Sequence, residues 1–594
     1  MSTSPFVEGT NLISFTILSE GNEIPSTYEI LSIRTEQFVN RIAEAEIVLR
    51  DGSTANQTFE VTDSSIFTPG KEVEIKLGYE NLNDSVYKGV VVKQAIKIDQ
   101  DNDSRLIVTL KDKALAMTIT RKNAIFKDVK DQEIIAEIAQ NYGLETDIDA
   151  STVLHDEIVQ YYAADWDFIV NRAEVNGMMV ITDSGKLVVA TPNVSGTPAL
   201  ELQYGYDIIE FDGEIDATYQ YSGVAGNSWD IATQNIIEAT ANEPTVNNQG
   251  DISGATLANV LNAGTSELRT TVPIDSEAIQ EWANAALLKS RLSKYNGYVT
   301  FQGSSKAKIN STIKLMGLGS RFNGNAFITG ITHTIENGQW HTETKIGLSD
   351  DWFSENKTIS GPIAAGLLPG IKGLQTGIVK QIYDDPDNEF RVQVTIPILG
   401  VEGESVWARL STFYTGNGFG AFFMPEVNDE VILGFMNDDP RFPIVLGGVY
   451  SSVIPPSEEP NEDNTIKTLV TQSKLELRFD EENKAITVQT PEGNSILLNE
   501  EEKGIYITDQ SGNSIEMNEE GIVIESKSKL TLKAAEGVDI EGSSIKITGS
   551  ESVTVSGATV SVSGDQSTSI TGSASCDISS DGQMSVKGLT VMIN

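Results

Sequence analysis

Cysteine is all but missing from this chain, which carries one thiol, Cys576, in 594 residues. A single sulfur excludes an intramolecular disulfide framework and fits folding in a reducing cytoplasm. Histidine is nearly as scarce, with His155, His333 and His341 alone. His333 and His341 flank Asn337-Gly338, a two-residue hairpin turn that sets His341 opposite Thr334, so the two imidazoles point to opposite faces and cannot share an ion. His155 reads as part of a polar loop. Positive charge is also in deficit, 42 Lys+Arg against 85 Asp+Glu for a formal net charge of −43. That balance excludes nucleic acid as a partner, because phosphate binding needs clustered cations. No apolar run approaches the ~20 residues of a membrane span. The opening Met1-Ser2-Thr3-Ser4-Pro5 has neither a basic region nor an apolar stretch, so no signal peptide is expected, and if the protein meets a membrane, even transiently, something else must carry it there.

Motifs of catalysis are missing as well. No Gly-x-Ser-x-Gly elbow, His-Glu-x-x-His pair or phosphate loop occurs, and Gly416, Gly418 and Gly420 lack the following helix that a phosphate cradle requires. Glu500, Glu501 and Glu502, like Glu519 and Glu520, fall at turns in solvent, where nothing raises a carboxyl pKa as acid catalysis demands. No catalytic, cofactor-binding or metal residue is assigned, no cofactor is expected, and the chain is not expected to be an enzyme.

What is present is a repeat. From about residue 504 the sequence settles into apolar, polar, apolar pulses set apart by Gly, Ser and acids: Ile505/Ile507, Ile515/Met517, Ile522/Ile524, Leu530/Leu532, Val538/Ile540, Ile545/Ile547, Val553/Val555 and Val560/Val562, with weaker members at Thr568/Ile570, Cys576/Ile578 and Met584/Val586. The last apolar residues are Leu589, Val591 and Ile593. An apolar pair two apart is the period of a strand with both side chains on one face, and Cys576 on a pulse reads as a small apolar core residue. A step of mostly eight residues is too short for one chain to wrap its own core, since a β-solenoid coil takes about 20 or more. Three chains, each supplying one side of a triangular prism, solve the problem and give a rod roughly 60 Å long at ~4.8 Å per strand. A calcium-binding roll needs regular Gly-Gly and Asp ligands, whereas between Gly549 and Gly588 the acids are only Glu551, Asp565, Asp577 and Asp581.

Ahead of the repeat the chain reads as mainly β. Period-two alternation predicts strands over 12–18, 42–49, 73–79, 86–92 and 106–110. Three helices are predicted, capped by Asp131, Asp165 and Asp275 or Ser276 and closed near Gly143, Gly177 and Asn296-Gly297. Residues 225–264, rich in Asn, Thr, Ala and Gly, read as an extended loop excursion. Strands return over 298–348, and Ser360-Gly361-Pro362 and Leu368-Pro369-Gly370 mark a linker. Five short strands over 377–450 suit an OB-type barrel, whose acid-rich surface does not suit single-stranded nucleic acid.

The octads of apolar, polar, apolar residues with Gly turns resemble the intertwined triple-stranded β-helix of the cell-puncturing spike of contractile phage tails and of VgrG, the valine-glycine repeat protein of type VI secretion. Gly493-Asn494-Ser495-Ile496 with Asn499, repeated as Gly512-Asn513-Ser514-Ile515 with Asn518, lies at the base of this needle. Asp165-Trp166-Asp167-Phe168 and Arg321-Phe322-Asn323-Gly324 resemble the family's hub. More specific are Asp385-Pro386, Arg391, Trp407 with Arg409, Pro425-Glu426 with Asp429, Asp439-Pro440, Gly447 and Tyr450, which resemble the OB domain that joins hub to needle.

The resemblance implies a hub of two β-barrel-like domains with a few helices over 1–360, an OB-fold collar over 373–450, a linker over 451–464 too short for the lysozyme domain of some phage relatives, and a trimeric needle over 465–594. Its core would be Ile522, Ile524, Leu530, Leu532, Val538, Ile540, Ile545, Ile547, Val553, Val555, Val560 and Val562. Leu589, Val591 and Ile593 would dock a PAAR-like tip protein. The implied function is that of a non-enzymatic homotrimeric spike at the front of an extracellular phage-tail-like particle or a type VI apparatus. Its implied partners are the inner tube, baseplate proteins and effector cargo, and it would be made in the bacterial cytoplasm. The rival class is a trimeric tailspike enzyme that degrades surface polysaccharide or peptidoglycan.

Overall fold

A computed structural model describes residues 4–6, 12–101, 103–262, 264–400 and 403–593. Residues 1–3 of the start read for a signal peptide, and the terminal Asn594, lie outside the described residues. The chain divides into two units, Met1–Gly448 and Val449–Asn594.

Strict alternation builds the first unit. In Glu44–Arg50 the side chains of Ala45, Ile47 and Leu49 are buried and those between them are not, the pattern of a strand with one face on a core. This strand belongs to a 13-stranded sheet. The amino-terminal half packs Ile33, Ile47, Phe67, Ile75, Leu77 and Leu106 into one core, and the returning strands pack Leu202, Val299, Phe301, Ile313 and Ile328 into another. The two halves share one ladder, because Ile30–Phe38 pairs antiparallel with Gly324–Glu336. Among the described residues no helix is long and apolar enough to cross a membrane.

Among the described residues, four α-helices of eight residues or more accompany the sheet: α1 (Asp131–Gln140), α2 (Asp165–Val175), α3 (Gly254–Leu261) and α4 (Ser276–Leu292). Of the three expected aspartate caps, Asp275 caps α4, accepting from the Ala278 N–H at 2.8 Å. Asp131 and Asp165 instead form the first residue of their helices and turn inward. Asp131 accepts from Arg172 Nε at 2.6 Å and Nη2 at 2.9 Å and from Asn176 Nδ2 at 2.9 Å. His155 Nε2 lies 3.0 Å from the same carboxylate, so His155 sits on the strand Leu154–Ala164 rather than in a loop. Burial pulls the Asp131 pKa up, but Arg172, Asn176 and His155 outweigh it and hold the carboxyl below its ordinary value. Asp165 is held down in the same way by Gln160, Lys122 and Tyr142 against its own burial. A buried carboxylate needs partners more than a helix end needs a cap.

Residues 225–264 are not a loop excursion. Gly223–Asp230 pairs antiparallel with Asn235–Thr240 and parallel with Thr265–Arg269, and Ser253 caps α3 through its hydroxyl. The sequence hides this because the buried face is made of small side chains. Gly226 lies where a Cβ would stand 2.5 Å from Ile279 of α4, so close packing replaces apolar bulk and leaves no periodic signal.

Two buried groups fix the interior of this unit. Lys289 of α4 donates to Glu174 Oε1 of α2 at 2.9 Å and to the Asp351 carbonyl at 2.6 Å, and the Phe353 N–H donates to Glu174 Oε2 at 2.7 Å. In the paired strands Gly324–Glu336 and Gln339–Ile346, His341 stands opposite Thr334 and His333 opposite Thr342. His333 is buried, with Nδ1 2.9 Å from the Thr342 hydroxyl, and burial with the nearby Lys308 charge pushes its pKa down from 6.5 to about 3.

Two measurements check these assignments. Lys289→Met removes the cation that answers the buried Glu174 carboxylate, with an expected loss of roughly 3–5 kcal/mol in denaturant unfolding of the first unit. His333 stays neutral when folded but takes up a proton when unfolded below its ordinary pKa. Its contribution is therefore intact above pH 6.5 and is lost as pH falls from there toward 3, by about 1.4 kcal/mol per pH unit. Thermal midpoints between pH 7 and pH 4 should accordingly fall less steeply in His333→Gln than in the parent.

Candidate functional site

Among the described residues no three His, Cys, Asp or Glu side chains come together as a metal site would require. The features that stand out are a small barrel and a long apolar face.

The barrel is closed in the order Gln375–Gln381, Val392–Thr395, Val406–Leu410, Pro443–Gly448, Glu430–Phe435. Its interior is Val379, Val392, Val394, Ala408, Val431, Leu433 and Val445, all at most 1% exposed. The residues that carried the OB resemblance mostly hold its turns. Arg391 grips Asp385, with Nε 3.1 Å from both oxygens, and also pairs with Asp387, while its guanidinium stands 5.9 Å from the Trp407 ring centroid. Asp385 further accepts the Asp387, Glu389 and Arg391 N–H groups. The Arg391 hydrogen bonds hold the Asp385 carboxyl far below the usual carboxylate range. Asp439 takes the Arg441 N–H at 2.9 Å and its Nη2 at 2.7 Å, following Pro440. Asp429 accepts the Glu426 N–H at 2.9 Å, closing the turn after Pro425. Arg409 lies opposite Ile444 with its side chain exposed, Gly447 pairs with Ile432, and Tyr450 is exposed. Gly416 and Gly420 lie in a short hairpin.

In the second unit, seven strands run from Ile466–Val470 to Gly521–Glu525, each pairing antiparallel with the next. Their register stacks apolar residues into two columns on one face. One column is Leu469, Leu477, Val488, Ile496, Ile507, Ile515 and Ile524; the other runs Phe479, Ile486, Leu498, Ile505, Met517 and Ile522. Within one chain this face is open, with Ile507 at 37% and Val488 at 47% exposure.

Here the structure departs from the expected stack of octads. The pulses from Ile505 to Ile524 form hairpins within a single chain, and Ile522 and Ile524 lie on the last strand of that sheet. A pulse spacing of about eight fits either arrangement, because strand period says nothing about which strand is the partner. The signal that separates them is the repeat nineteen residues apart. Gly493 and Gly512 both take positive φ, 94° and 84°, in equivalent turns closed by N–H donation to Thr490 and Asp509. A period of two strands and two turns is that of a hairpin.

Past Glu525 the remaining expected core residues, Leu530, Leu532, Val538, Ile540, Ile545, Ile547, Val553, Val555, Val560 and Val562, are all more than half exposed in the single chain, as are Leu589 and Ile593, with Val591 just under half. Cys576, expected as a core residue, is likewise exposed.

Comparison with known proteins places these parts. Residues 9–337, more than half of the chain, match the family model of the Alg8 N-terminal domain. Residues 375–450 match the type VI secretion system/phage-baseplate injector OB domain, and residues 485–568 the phage baseplate V C-terminal trimerisation domain. The chain is 33% identical over 94 residues to the type VI secretion system spike protein VgrG4b of Pseudomonas aeruginosa, covering 15% of this chain and 12% of that protein. It is 31% identical over 99 residues to the actin cross-linking toxin VgrG1 of Vibrio cholerae, covering 16% of this chain and 9% of the toxin. The chain thus spans only a small fraction of the length of the curated relatives it matches. Among solved structures, the 43 kDa tail protein of prophage MuSo2 from Shewanella oneidensis aligns over 57% of this chain and 99% of its own, with 11% identity and a TM-score of 0.43. The E. coli c3393 protein, a type VI secretion component, aligns over 73% and 99% with 13% identity and a TM-score of 0.37. With a match over more than half its length, the chain belongs to the Alg8 N-terminal domain family, and its barrel and second unit are similar to the type VI and phage-baseplate injector OB domain, the baseplate V trimerisation domain and VgrG spike proteins.

Proposed function

We propose that three copies of this chain form the front of a contractile injection machine, either an extracellular phage-tail-like particle or a type VI apparatus. In this reading the trimer joins an inner tube to a small tip protein and is driven through a target envelope to deliver effector cargo. The observation that carries the reading is the pair of apolar columns that a single chain leaves open, continuing into exposed pairs as far as Ile593. Three sheets facing inward bury both columns, and the hydrophobic gain grows with every level added. The sheet closes its ladder bonds within each chain as far as Glu525, and ladder bonds made between chains past that point would leave few free edges and make unfolding under load slow.

The reading is mechanical rather than enzymatic. The acids of the collar signature, Asp385, Asp429 and Asp439, each accept backbone N–H groups within turns, which suits rigidity and leaves them poorly placed to shuttle protons. Synthesis in the bacterial cytoplasm, followed by assembly into the particle, completes the proposal.

Light scattering on the purified chain should give three times the chain mass, and a stable monomer would defeat the proposal. Ile507→Asp sets a carboxylate on the shared face and should yield monomers. Thr487→Asp, on the opposite face of the same sheet, should stay trimeric. Deleting residues 589–594 should abolish binding of a PAAR-like tip protein while the trimer survives, and retained binding would move the docking site elsewhere. Incubation of the trimer with peptidoglycan or capsule should release no product.

A further inference from the structure

One surface of the collar remains without a role. Between Ser411 and Pro425 the chain carries no charged residue, although residues 375–450 hold four Lys+Arg and eleven Asp+Glu. Five aromatic side chains stand out from this stretch: Phe413 is 87% exposed, Tyr414 58%, Phe419 61%, Phe422 80% and Phe423 56%. They are held in place rather than loose. Thr415–Gly416 pairs with Phe419–Gly420, the Ala421 N–H donates to the Tyr414 carbonyl at 2.9 Å, the Thr412 hydroxyl donates to the Ala421 carbonyl at 3.2 Å, and the Tyr414 and Phe419 rings lie 5.8 Å apart. An uncharged, preformed aromatic platform has the composition of an interface hot spot, because little ordering entropy remains to be lost when it is covered.

We propose that this hairpin, residues 412–424, packs against the collar of a neighbouring copy of the same chain. The inference rests on the trimeric reading above and adds a second site of contact to it. The last barrel strand, Pro443–Gly448, is joined to the first strand of the second unit, Ile466–Val470, by residues 449–465, and the trimerisation-domain match lies on that second unit, so trimerisation tethers three collars at an effective concentration on the order of millimolar. Those collars share an excess of acids and repel one another across charged surface. The uncharged hairpin offers a face on which they can approach without that cost, and burying its aromatic area favours contact. Rotation about a three-fold axis brings each hairpin to the same environment, so one contact closes the ring.

The test uses the full chain with the photo-reactive residue p-benzoyl-phenylalanine in place of Phe413 or, separately, Phe422, positions exposed enough to accept it without disturbing the fold. Light scattering first establishes the mass, and a monomer overturns the trimeric reading and this inference together. After irradiation of the trimer, the expected result is a denatured band at twice the chain mass whose cross-linked peptide falls within residues 375–450 of the second copy. Phe422→Asp should lower the yield from the Phe413 probe at least five-fold. A protein of trimer mass that gives no inter-copy product, a product mapped outside the collar, or capture of a different protein in its place overturns the hairpin contact and leaves the trimeric reading standing.

Discussion

The constraint on which this molecule depends is a surface that one copy of the chain cannot keep from water. The collar buries its own interior completely, with Val392, Val394 and Leu433 shut away by five strands that close on themselves. The sheet that begins at Ile466 does the opposite. Its register aligns its apolar columns on one side and leaves them open within one chain. The first arrangement is a finished domain, while the second is one wall of a structure whose other walls are further copies, and the family match to a trimerisation domain falls on that wall.

Charge is organised around the same division. Within the first unit, three inward carboxylates are answered by cations, Asp131 by Arg172, Asp165 by Lys122 and Glu174 by Lys289, while Asp51 and Asp112 accept backbone N–H groups. Each pair ties together segments distant in sequence, and loss of the cation would leave its buried carboxylate in a medium that penalises isolated charge. Other acids hold turns, as Asp385, Asp429, Asp439 and Asp509 do by accepting nearby N–H groups. A formal charge of −43 is therefore partly an inventory of turn-makers.

Where the sequence could be read, chemistry was local. Glu72–Tyr79 and Val392–Thr395 declare themselves by apolar alternation between turn residues, and the Asn337-Gly338 turn alone fixes the register of His341 against Thr334. Where it could not be read, the deciding contact came from far away. Asp131 looks like a helix cap until Arg172 is brought beside it, forty-one residues on. Residues 223–240 look formless because Gly226 and its neighbours fit beneath α4 through smallness, which leaves no hydrophobic rhythm. The apolar pulses identify strands but not their partners, so hairpins and stacked octads share one spacing. The aromatic hairpin of the collar was hidden differently, because exposed Phe and Tyr side chains read as core until a structure shows them facing outward.

The shared ladder of the first unit has a consequence for how the chain is made. Ile30–Phe38 finds its second neighbour only in Gly324–Glu336, so a strand from the earliest part of the polypeptide waits through the synthesis of almost three hundred residues with one flank unsatisfied. Such a flank is a template for pairing with the wrong chain. Sequence separation on this scale also slows closure. The nascent polypeptide is therefore most vulnerable to aggregation before that late strand emerges from the ribosome, long before the three-fold partners are needed.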